Sequence, residues 1–150
     1  LLAIDEIVMY GSNTDEMVAE IKDRYPDRHC IIYPDPASRQ RKTSAGGRTD
    51  LSILQNAGFS VKAKKAHPLV RDRINAVNSR LLSGDGERHL FVSPKCKQTI
   101  KSLERQTYKE GTSIPNKDGT DHMNDALGYL VEYLFPIRTE YNTTQPTRWT

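Results

Sequence analysis

Apolar and polar positions alternate between two periods along the chain. Residues 1–10 (LLAIDEIVMY) read as a strand interrupted by the acidic pair Asp5-Glu6. After the turn Gly11-Ser12-Asn13, Thr14 is expected to cap a helix over residues 15–25, with Met17, Val18 and Ile21 on its buried face. Pro26-Asp27 stops it, and the apolar run 29–33 (HCIIY) predicts a strand that ends at Pro34-Asp35-Pro36. Residues 37–49 are polar, basic and glycine-containing and read as a loop. Asp50 is expected to cap a short helix through Leu51 and Leu54, closed by Gly58.

Residues 59–63 predict a strand. Val70, Ile74, Val77 and Leu81 lie at helical spacing and predict a helix over residues 70–82. Residues 89–92 predict a strand, Pro94 is expected to start a helix through Cys96, Ile100 and Leu103, and Met123, Leu127, Leu130, Val131 and Leu134 mark a last helix over residues 120–135. The pattern is three or four short strands among five helices, an α/β layout. Residues 1–135 are expected to form one domain and residues 136–150, which lack periodicity, a C-terminal tail or linker.

Composition narrows the class. The chain has 150 residues, 36% apolar and 27% charged, enough for a core without disulfide staples. Cys30 and Cys96 have no metal-knuckle spacing, and a reduced, cytosolic protein is the default expectation. No apolar run approaches a membrane span, and no secretory leader is legible. The net charge of +3 is modest, but it is uneven. Between residues 39 and 73, nine basic residues (Arg39, Arg41, Lys42, Arg48, Lys62, Lys64, Lys65, Arg71 and Arg73) face only Asp50 and Asp72. Such a stretch suits a phosphate backbone, or is simply a solvated face. SAGGRT lacks the spacing of a nucleotide-binding P-loop.

Two places carry candidate chemistry. Asp35 follows an apolar strand and sits between prolines, which restrict its direction at a strand end, where α/β sites collect; a turn aspartate is the plain alternative. Asp121 and Asp125 are four apart and share one side of a helix, with His122 beside them as an auxiliary water- or ligand-positioning group. Asp121 can equally be a helix-dipole acid and Asp125 an exposed one. A strand-end acid together with helix acids is what two-metal phosphodiester cleavage needs, with hard oxygen ligands for Mg²⁺ or Mn²⁺.

The stretches DEIVMYGSNTDEM, IIYPDPAS, GFSVKAKKAHPLVRDRINAVNSRL and above all DHMNDALGYLVEYLF resemble the C-terminal nuclease domain of the large terminase subunit of tailed bacteriophages. The resemblance spans roughly residues 2–135. It implies a ribonuclease H-like fold, a central mixed sheet flanked by helices, and metal-dependent endonucleolytic cutting of concatemeric viral DNA during genome packaging. It also implies two Mg²⁺ or Mn²⁺ ions, double-stranded DNA as substrate, and an upstream ATPase domain of the same polypeptide. A small terminase subunit, a portal protein and a location in the host cytoplasm complete the implied setting.

Matched by motif, Asp35 is the family's second acid, Asp125 the late acid, and Asp121 its neighbour or substitute. The predicted DNA-binding residues are Arg39, Arg41, Lys42, Arg48, Lys62, Lys64, Lys65 and Arg71. The family's first acid lies on a strand ahead of the acidic pair that Asp5-Glu6 matches, so that strand and its aspartate are expected to be missing from this chain. A resolvase-like nuclease of the same superfamily and a non-catalytic DNA-binding or packaging-assembly module are the competing readings.

Overall fold

A computed structural model describes residues 1–40, 47–112, 114–119 and 121–137. Their order is β1 (Leu2–Ala3), α1 (Thr14–Arg24), β2 (Ile31–Ile32), a 3-10 turn (Pro36–Arg39), α2 (Asp50–Asn56), β3 (Ser60–Val61), α3 (Val70–Leu81), β4 (Phe91–Val92), α4 (Lys97–Arg105) and α5 (Asp121–Leu134). Arg41, Lys42 and the tail from residue 138 onward lie outside the described residues.

Among the described residues the strands form two separate parallel pairs, β1 with β4 and β2 with β3, rather than the central mixed sheet expected. Each ladder is two residues long. Proline follows closely on two strands, Pro34 after β2 and Pro94 after β4, and proline has no N–H to extend a ladder. On β1 the polar pair Asp5-Glu6 turns to other partners. The Asp5 carboxylate accepts from the Tyr25 hydroxyl at 2.6 Å. Glu6 accepts from the backbone N–H groups of Gln98 (2.9 Å) and Thr99 (2.8 Å) and from the Thr99 hydroxyl. Glu6 therefore caps the first turn of α4, whose own N-cap, Cys96, supplies no side-chain bond.

Helix caps fall one residue before the expected ones. Asn13 and Thr49 cap α1 and α2, each in a reciprocal capping box, with Glu16 and Ser52. The core is small: Ala76 and Val77 of α3, Leu90 ahead of β4, and Val131 of α5, with Leu81, Leu103 and Leu127 packed around them. Helix α5 thus lies against α3 and α4. It also meets the segment just after β2, where Tyr133 and Tyr33 stack edge-on at 5.1 Å between ring centroids. That contact brings the end of β2, and so Asp35, to the flank of α5.

Candidate nuclease site

Asp35 directs its carboxylate by capping the turn that follows: Oδ1 accepts from Ala37 N at 2.8 Å, and Pro36 holds the first position of that turn. His67 Nδ1 stands 3.5 Å from the same oxygen. Burial, with the Asp35 charge and against that of Arg73, pushes the Tyr129 phenol of α5 up to about 12.

On α5, Asp121, Asp125, Gly128 and Glu132 recur every three or four residues and form one polar stripe. Asp121 and Glu132 are buried, while the Asp125 side chain is 41% exposed. Burial raises the Asp125 carboxyl above the ordinary value of 3.8, opposed by Arg73 and Lys117 and reinforced by the negative charges of Asp121 and Asp35. The three candidate acids thus share one electrostatic neighbourhood. His122 is exposed on the neighbouring side of the helix.

Arg73 is the feature that sequence reasoning missed. It is buried, reaches Asp125 Oδ1 through Nη2 at 2.8 Å, and holds its guanidinium carbon 4.3 Å from the centre of the Tyr129 ring. The arginine stem passes over Gly128, where a Cβ would lie 2.7 Å from Arg73 Cγ. A signal was available: Arg73 falls three residues after Val70 and four before Val77, inside the apolar register of α3.

The basic stretch divides. The Arg39 guanidinium donates to the carbonyls of Ala63 (2.9 Å) and Lys64 (3.3 Å), bracing the chain after β3. Lys64 pairs with the buried Glu132 of α5. Arg48 pairs with Asp15 and Arg71 with Asp72, both at the surface. Lys62 and Lys65 are exposed.

The donor chemistry suits a hard divalent cation, since Asp35, Asp121 and Asp125 offer carboxylate oxygens. Among the described residues no group of three or more His, Cys, Asp or Glu side chains is close enough to enclose an ion. Arg73 stands instead as the positive partner of Asp125. Among the described residues, too, no helix is long and apolar enough to cross a membrane.

Neither a search of curated proteins nor one of solved structures returned a match. A protein-family model does match, over residues 3–134, and it covers β1 through α5 with every candidate acid. The chain belongs to the family of the terminase RNaseH-like domain.

Proposed function

We propose that this domain is a metal-dependent endodeoxyribonuclease that cuts concatemeric viral DNA during genome packaging. The observation that carries the reading is that the Tyr33–Tyr133 contact sets the end of β2, where Asp35 stands, against α5, the helix that bears Asp121 and Asp125. Asp35 and Asp125 would hold Mg²⁺ or Mn²⁺, with Asp121 completing the acidic cluster and exposed His122 positioning water at its edge. Bound cations supply Lewis-acid charge at the scissile phosphate and a nucleophilic water at neutral pH.

The protein's own part is electrostatic and positional. Ala37 N fixes the Asp35 carboxylate, and Arg73 fixes Asp125. The exposed Lys62 and Lys65 lie on the segment that leads from β3, so they can meet a phosphate backbone without breaking an ion pair. Arg39, Arg48, Lys64 and Arg71 would have to release protein partners to do the same. Low base selectivity follows, since phosphate contacts do not read sequence. An ATPase domain upstream in the polypeptide, a small terminase subunit and the portal are the partners this role calls for, in the host cytoplasm.

The test is nicking of supercoiled plasmid with Mn²⁺, Mg²⁺ or EDTA. It compares this chain, Asp35→Asn, Asp125→Asn, and a form lengthened upstream by about 40 residues, room for a strand hairpin. Metal-dependent nicking lost in either substitution is expected, in the chain itself or in the lengthened form. A lengthened protein that binds DNA but never cuts with either metal sinks the proposal.

A further inference from the structure

A cavity of about 190 Å³ opens between α3, α4 and α5, with Arg73 and Asp125 in its lining. Ile74, Val77, Leu103 and Tyr108 give it apolar walls. Two of its lining residues carry buried polar atoms with no hydrogen-bond partner, Arg73 Nη1 and Asn124 Oδ1.

The amide of Asn124 cannot relieve this by turning over. Its Nδ2 donates to Ser102 O at 2.9 Å and to Gln106 Oε1 at 3.3 Å, both acceptors. Gln106 is fixed in turn, because its own Nε2 donates to Asn116 O at 2.8 Å. Asn124 Oδ1 therefore remains an acceptor in want of a donor, and Arg73 Nη1 a cationic donor in want of an acceptor. Buried groups left in this state are costly, and native structures satisfy nearly all of them.

We propose that this cavity is a pocket for a nucleobase, which offers an N–H to Asn124 Oδ1, an acceptor to Arg73 Nη1, and its flat faces to the apolar walls and to Tyr108. An amide-edged heterocycle carries a donor and an acceptor on one rigid body, and its apolar faces match the wall chemistry. Water satisfies the two polar atoms but gains nothing from Ile74, Val77 and Leu103. The choice of a nucleobase over another planar amide rests on the nuclease reading of the adjoining acids. The base comes either from a free nucleoside or from a strand whose nucleotide has left its stack. An occupant of the pocket touches Arg73, and so acts on the partner of Asp125.

Binding is read by ¹H–¹⁵N NMR on the full chain, without metal, using thymidine, guanosine and a short single-stranded oligonucleotide, with deoxyribose as control. The expected result is saturable shifts at Leu103, Tyr108 and Asn124, with Kd on the order of 1 mM for a nucleoside. Shifts from the nucleosides point to a free ligand, and shifts from the oligonucleotide alone to a strand-borne base. Asn78 lines the cavity from an exposed position. Asn78→Trp therefore closes the pocket without touching the core, and it is expected to abolish the shifts while the resonances remote from the pocket keep their positions. No shift with any base, equal shifts with deoxyribose, or unchanged shifts in Asn78→Trp overturns the proposal. None of these readouts requires cleavage, so a failure here stands apart from a failure of the nuclease assignment.

Discussion

Arg73 reaches Asp125 at 2.8 Å only because residue 128 has no side chain: the arginine stem crosses α5 at Gly128, where a Cβ would stand 2.7 Å from Cγ and 3.0 Å from Cδ. In an ordinary helix interior, glycine to alanine gains about 1 kcal/mol. Here the methyl group would displace a buried stem already held against Tyr129. Gly128→Ala is expected to destabilise the fold by about 1–3 kcal/mol, the usual cost of overpacking. With Arg73→Ala in place the sign should reverse. A double-mutant cycle by denaturant unfolding checks this, and additive effects would refute the close approach.

The raised Asp125 carboxyl fixes a direction for pH. Its folded value lies above 3.8, so between the two values the folded state holds the proton more tightly than the unfolded one. Stability from this group is present below 3.8 and is lost as pH rises through the folded value. Asp125→Asn, which can still accept from Arg73, should lack that loss. Unfolding free energies of the two proteins, measured from pH 3.5 upward in steps (about 0.5 unit, to resolve a single titration), should diverge in favour of the variant. Parallel curves would show that Asp125 is not perturbed.

Helix α3 was legible to within a residue, because its apolar positions and its boundaries are set by the same side chains. The caps of α1 and α2 were displaced by one, since Asn13-Thr14 and Thr49-Asp50 each offer two good capping residues in succession and only geometry chooses between them. The strands are shorter than the apolar runs suggest: residues 1–10 and 29–33 yield two-residue ladders, because ladder length depends on partners that a run of residues does not disclose. The placement of Asp35 after a strand, and of Asp121 and Asp125 on one helix, was legible from position alone. Arg73 and Glu132 could not be read as supports of the site, because a charge on an apolar face shows its meaning only when the opposite charge arrives from another element.

Glu6 offers a second pH test with the opposite sign. Burial pushes its carboxyl up, but the hydrogen bonds from Gln98 N, Thr99 N and the Thr99 hydroxyl outweigh it and hold the value below 4.5. Its stabilisation is present above 4.5 and lost as pH falls through the folded value. Glu6→Gln should cost about 1 kcal/mol at pH 7, the scale of a helix cap, and the deficit should shrink in acid. Denaturant midpoints at pH 7 and pH 3 decide it. An equal deficit at both would mean that the charge does not matter.

Lys64 and its neighbours separate a structural cation from a DNA-facing one. Lys64 neutralises Glu132, whose side chain is 8% exposed, while Lys64 itself is 35% exposed. Lys64→Met leaves that acid unpaired and should cost about 1–3 kcal/mol, less than a fully buried pair because solvent still reaches the lysine. Lys64→Met with Glu132→Gln should recover most of the loss. Lys62→Ala and Lys65→Ala should leave stability unchanged, yet each should weaken DNA binding and reduce the salt dependence of the affinity by about one unit of slope. Fluorescence anisotropy across a salt series, run beside thermal melts, measures both effects. If Lys64→Met changed the salt slope as much as Lys62→Ala without lowering the melting temperature, the pair with Glu132 would be dispensable. The whole basic segment would then be one undivided phosphate-binding surface.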